Sequence, residues 1–143
     1  MINLDYSVVI KRPAGEVFAY AADIKKAPNW KARLLEVRRI SRGKVKVGAR
    51  EVHVGKFLGR RFETEVEITE YEPNRKIGFR TISGPLSAEG SLTFESLGSG
   101  TKVTLTAVRK PSGFLKVISP VLSRIAQRQL ETDLGKLKEL LEA

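Results

Sequence analysis

The longest hydrophobic pattern in the chain lies at its C-terminal end. Over residues 112–142, Leu115, Ile118, Leu122, Ala126, Leu130, Leu134, Leu137 and Leu141 recur every three or four positions, which on a helix of 3.6 residues per turn draws one apolar stripe. Lys116, Arg124, Arg128, Glu131, Lys136, Lys138, Glu139 and Glu142 fill much of the remaining surface, so one side of the helix is wet and the other needs a cover. Pro120 falls inside the stripe. A proline in a helix interior costs about 3 kcal/mol, whereas Ser119 as N-cap with Pro120 at the first helical position costs little. The pattern therefore predicts a short helical turn near Ser112 to Ile118 and a main helix from Pro120. Gly135, inside that helix, costs about 1 kcal/mol relative to alanine, which is tolerated where a helix passes close to a sheet or a ligand.

The rest of the chain is mostly of period two. Residues 2–10 are rich in β-branched and aromatic side chains and stop at Lys11-Arg12-Pro13, which reads as a first strand. Pro13 suits the first turn of a helix, and Ala14 to Asp23 places Val17, Phe18, Ala21 and Ala22 on one apolar face. Pro28 then forces a turn or a second short helix. Beyond Trp30, Leu35 and Val37 alternate with Glu36 and Arg38, and Val52 and Val54 alternate with Glu51, His53 and Gly55. The clearest alternation sets Phe62, Thr64, Val66 and Ile68 against Glu63, Glu65 and Glu67, an inner apolar face and an outer acidic one. Turn signals at Ser41–Gly43, Glu72–Arg75, Ser83–Pro85 and Gly98–Gly100 delimit further strands over 76–83, 87–97 and 101–109. Strand, two helices, six strands and a long helix make an α+β architecture with an antiparallel sheet. That sheet is the cover the helix needs.

Composition narrows the chemistry. With 143 residues and no cysteine, the expectation is one domain spanning 1–143, without disulfides, thiolate nucleophiles or cysteine-based zinc sites. No long apolar run or leader pattern is present, so a cytoplasmic location is expected. The net charge of +10 is concentrated: Lys25 to Arg61 holds thirteen Lys and Arg against two acids, while the rest of the chain has 13 basic and 14 acidic side chains. Such a block attracts nucleic acid, anionic membrane or an acidic ligand, or is simply a solvated hairpin. Its aromatic content is only Trp30 and Phe57, which argues poorly for base stacking.

Candidate catalytic groups are few. The single histidine excludes His-based metal clusters, no phosphate-binding glycine loop is present, and no metal or cofactor is expected. His53 is out of phase with Val52 and Val54: it faces solvent if the valines face inward, and a bulge inverts this. Thr64, Thr81 and Ser83 share the phase of Phe62, Val66, Ile77 and Phe79, so their hydroxyls are candidates for an inner wall. Asp133, one position before Leu134, orients a ligand or acts as a base with a raised pKa if it is buried; the preferred reading is an exposed partner of Lys136 or Lys138. Arg109 continues the phase of Leu105 and Ala107 toward an open end of the sheet, where it pairs with a ligand carboxylate or stands in water.

The order of these signatures resembles a known family. A strand followed by Pro13-Ala14, Val17-Phe18, Asp23-Ile24 and Pro28 with Trp30, then a Glu72–Lys76 turn, a Gly100–Thr104 hairpin and a leucine-rich C-terminal helix, is similar to the START-like or Bet v 1-like superfamily (SRPBCC), and within it to bacterial polyketide cyclase/dehydrase-like proteins. The resemblance implies a helix-grip fold, in which a curved seven-stranded antiparallel sheet wraps the long C-terminal helix around a ligand cavity. The implied cavity wall comprises Trp30, Phe62, Thr64, Val66, Phe79 and Thr81, continued by Leu92, Phe94, Leu105, Leu122, Ala126 and Leu130. Tyr20, His53, Ser83 and Arg109 are the polar groups expected to orient a ligand, with Tyr20 and Trp30 near the entrance. Three functions follow as expectations: binding of a hydrophobic or aromatic small molecule, a cyclase/dehydrase-type enzyme, or a basic surface for nucleic acid, ribosome or anionic membrane. A monomer or a homodimer is expected.

Overall fold

Strand β1 (Ile2–Ile10) buries Ile2, Leu4 and Ile10 and leads through Pro13 into helix α1 (Ala14–Ala22). The computed structural model describes residues 2–57, 59–84, 86–111 and 116–143. Proline, which lacks an N–H, supplies the carbonyl that receives the first helical bonds from Glu16 and Val17. A second short helix, α2 (Ala27–Trp30), has Pro28 in its first turn. Then follow β2 (Leu34–Arg39), β3 (Arg50–Phe57), β4 (Arg60–Glu72), β5 (Lys76–Ser83), β6 (Leu86–Leu97), β7 (Gly100–Pro111) and helix α3 (Ser119–Glu142).

All seven strands form one antiparallel sheet in the order β1-β7-β6-β5-β4-β3-β2. Sequential hairpins run from β2 to β7, and β1 closes onto β7. The helices α1 and α2 therefore carry the chain from one sheet edge to the other. Curvature has local causes. At Gly90 a Cβ would lie 2.2 Å from the carbonyl oxygen of Thr106, so β6 approaches β7 more closely than any side chain allows. Register shifts at Leu34/Glu36, Glu65/Val66 and Ile68/Glu70 bend the sheet further. The result is the helix-grip fold, with the concave face wrapped around α3.

The stripe on α3 divides in two. Leu134, Leu137 and Leu141 enter the core with Ile10, Val17 and Val103, while the N-terminal half of the helix borders a void. Polar contacts set the helix position: Arg12 Nε donates to the Leu141 carbonyl and the Lys11 N–H to Glu142, both at 2.8 Å. At the same end of the sheet, Phe18 of α1 packs edge-on against Phe94 and Tyr71, with ring centroids 5.1 and 5.6 Å away.

Four details depart from the alternation read in the sequence. The helix starts one residue early, with Ile118 as the cap and no side-chain cap bond from Ser119; the turn expected at Ser112 to Ile118 lies largely outside the described residues. Leu35 is exposed because the register shift after Leu34 turns it outward. In β3, Glu51, His53 and Gly55 are the concave residues, paired with Val66, Thr64 and Phe62, and the valines take the convex side. A Cβ added at Gly135 would meet no atom within 4 Å, so a close approach of the sheet does not explain this glycine.

Candidate functional site

A cavity of about 390 Å³ lies between the sheet and the N-terminal half of α3, within the roughly 300–1,000 Å³ of small-molecule sites. It exists because the helix presents Leu122, Ile125, Ala126 and Leu130 to the curved sheet at a place where Ala126 interrupts the leucines. The alternation of β4 supplies one wall with Phe62, Thr64, Val66 and Ile68. Phe79 and Thr81 of β5, Leu92 of β6 and Leu105 of β7 extend it, and Trp30 of α2 closes part of the rim. The Thr81 hydroxyl is already engaged, since its Oγ1 accepts the Ala88 N–H at 3.1 Å.

Three residues expected at the site are elsewhere. Phe94 belongs to the aromatic plug with Phe18, away from the cavity. Ser83 is exposed, because the shift between Glu65 and Val66 pairs it with Glu65 on the convex side. Tyr20 packs beside the core with the Lys26 ammonium 5.1 Å from its ring, and it does not line the void.

The polar part of the wall is charged. His53 and Glu51 face the cavity, with His53 Nε2 3.0 Å from Glu51 Oε1. Glu51 is only 6 % exposed. An ionised Glu51 only accepts, so with it the contact fits the tautomer that carries the hydrogen on Nε2 and leaves Nδ1 as the acceptor atom of the ring. Lys31, at the end of α2, also lines the void, its ammonium 4.9 Å from the Trp30 ring centroid. Burial holds the Lys31 ammonium below the ordinary lysine range despite the neighbouring charges of Asp133 and Glu51. Burial likewise lowers the pKa of Arg109. Asp133 does not pair with Lys136 or Lys138: it accepts the Ala32 N–H at 3.1 Å and the Gln129 amide at 2.7 Å, tying α3 to the chain after α2. Burial outweighs those bonds and raises its pKa. Among the described residues no group of three or more His, Cys, Asp and Glu converges as a metal site would require.

The profile of the family described as polyketide cyclase/dehydrase and lipid transport matches residues 1–142. The chain belongs to this family. No curated protein sequence matches it. Among solved structures, the fold is similar to that of TTHA0849 from Thermus thermophilus, at 20% identity, 97% of this chain, 96% of the other and a TM-score of 0.84. A START superfamily protein from Mycobacterium smegmatis is 14% identical over 98% and 97% of the two chains, with a TM-score of 0.84. The Zhui aromatase/cyclase from Streptomyces sp. R1128 is 16% identical over 98% and 93%, with a TM-score of 0.78. At these identities the likeness is one of fold.

For this family member, sequence reading missed Lys31, Glu51 and Gln129, and placed Asp133 outside. A usable signal existed for Glu51. The outer acids of β4 need cations beside them, and Arg50 lies near Glu65 at 3.9 Å; if Arg50 faces outward, strand parity sends Glu51 and His53 inward. The same logic accounts for part of the basic block. Arg38 pairs with Glu63 and Glu36, and Arg61 with Glu36 at 3.7 Å, so the convex face is a network of opposite charges with Val54 wholly buried beneath it. Among the described residues no helix is long and apolar enough to cross a membrane.

Proposed function

We propose that this chain, acting as one domain over 1–143, binds a hydrophobic or aromatic small molecule, lipid-like or polyketide-like, between the sheet and α3. The observation that carries the reading is the cavity of about 390 Å³, whose wall is mainly apolar with a few polar groups, the composition of a small-ligand site. A family description that joins polyketide cyclases with lipid transport supports the same class of ligand. Trp30 is the only tryptophan and borders the void, so its emission reports occupancy. Titration with N-phenyl-1-naphthylamine, a neutral apolar fluorophore, is expected to be saturable at one site and to change Trp30 emission. Ala126→Phe, which fills the void, is expected to weaken uptake. Folded wild-type protein that takes up no dye would sink the proposal.

A second reading rests on Glu51 and His53. Their pairing leaves His53 Nδ1 as a base in the cavity wall, and an imidazole is suited to proton transfer near neutral pH. In a cyclase/dehydrase-type step on a β-hydroxy ketone, Nδ1 takes the proton beside the carbonyl. The C–H electron pair forms the C=C bond, and hydroxide leaves as water with a proton returned by the imidazolium. His53→Gln is expected to keep dye uptake and abolish conversion of an aromatic β-hydroxy ketone, followed by mass spectrometry. Absence of conversion by the wild type would remove this reading and leave the binding one standing.

A further inference from the structure

Three donors on the cavity wall have no hydrogen-bond acceptor among the described residues. Nε1 of Trp30 and Nε of Arg109 are buried without a hydrogen-bond partner among the described residues, and Trp30 is only 2 % exposed. The Lys31 ammonium faces an aromatic ring instead of a carboxylate. Lys31 is near enough to Arg109, Asp133 and Glu51 for each to act on its charge, so these groups form one cluster. The acids of that cluster are already engaged: Asp133 by Ala32 and Gln129, Glu51 by His53. A buried donor without a partner costs free energy, and two cations drawn out of water add to that cost. The unpaired donors are satisfied when a ligand supplies oxygen lone pairs, and the cavity lining, with Lys31, Arg33, Lys56 and Arg109 against Glu51 and Asp133, favours a ligand with negative charge.

We propose that this part of the cavity receives the carboxylate of an amphiphilic acid, held by Lys31, Arg109 and the Trp30 N–H, with the apolar body lying along Ala126, Phe79 and Leu105. The assignment rests on the binding function proposed above and specifies its ligand class. An arginine fork from β7 and an ammonium from the end of α2 clamp a planar carboxylate, and the apolar remainder of the cavity excludes water from the contact. The placement also explains why the cations are on the wall of a mainly apolar void.

The test compares acids with neutral molecules of the same shape. Wild-type protein is titrated with decanoate and 1-decanol, and with 2-naphthoate and 2-acetylnaphthalene, using Trp30 emission and calorimetry. The acids are expected to bind about tenfold or more tighter than their neutral counterparts, and the two pairs distinguish an aliphatic from an aromatic body. Lys31→Met and Arg109→Met are expected to erase the preference while 1-decanol or 2-acetylnaphthalene still binds. Equal affinity of acid and neutral molecule for the wild type overturns the head-group assignment and leaves the binding function intact. Failure of all four probes to bind overturns both. The wild-type comparison decides the matter even if a variant does not fold.

Discussion

Nε2 of His53 lies 3.0 Å from Oε1 of Glu51, two residues away on the same strand and the same concave face. This pair gives a carboxyl group that is almost wholly buried its one hydrogen-bond partner among the described residues. Removing that partner leaves the carboxylate unsatisfied. His53→Ala is therefore expected to destabilise the fold by about 1–3 kcal/mol. The double variant with Glu51→Ala should cost less than the sum of the two single changes. Urea denaturation of the four proteins checks the coupling, and strict additivity would show that the two side chains act independently.

Asp133 predicts a pH dependence of one sign. Burial holds its carboxyl above the ordinary aspartate range in the fold, so the neutral form is favoured there. Below the unfolded value both states are protonated and its contribution is fully present; as pH rises through the folded value, that contribution is lost. Relative to Asp133→Asn, the wild type should thus become less stable with rising pH over this window. Denaturation midpoints of both proteins, measured from acid to neutral pH, give the difference.

Glu142 predicts the opposite sign. The Lys11 N–H and then the Lys138 ammonium hold its carboxyl below the ordinary glutamate range. Its contribution is present above the unfolded value and disappears as pH falls through the folded one. The advantage of wild type over Glu142→Gln should be greatest near neutrality and vanish in acid, read from the same midpoints. High salt should shrink it, because the site is at the surface.

Two glycines should respond in opposite directions. Gly135 is a helical residue facing open space, so Gly135→Ala is expected to stabilise by up to about 1 kcal/mol. At Gly90 the new methyl group would collide with the backbone of Thr106 and Ala107. Gly90→Ala should cost about 1–3 kcal/mol or more, since strands β6 and β7 must separate. Thermal unfolding of both variants tests the pair.

Much of the fold was legible in the sequence because each element carries a local signal. Pro13 at a helix start, Pro28 in a short helical turn and the leucines of α3 each constrain the backbone within a few residues. The β4 alternation is as plain, since its acids and its largely apolar residues cannot share a face. The candidate site was only partly legible. Phe62, Thr64, Val66, Phe79, Thr81 and Leu105 follow strand parity to the void. Leu35 and Ser83 turn away from it, and His53 turns into it with Val52 and Val54 facing out, because a bulge or a partner strand's charges decide which way their parity runs.

Sequence by itself determined the order of elements, the antiparallel sheet and the apolar face of α3, all consequences of periodicity and turn chemistry within about ten residues. Tertiary structure alone decided which half of that face packs solidly and which half borders space, for that depends on how far the sheet curves at Gly90 and the bulges. It alone brought Lys31, Glu51, Arg109 and Asp133, four residues spread over the chain from α2 to α3, into one electrostatic cluster. Charges act through space and through the dielectric that burial creates, and neither distance nor burial is written in the order of residues.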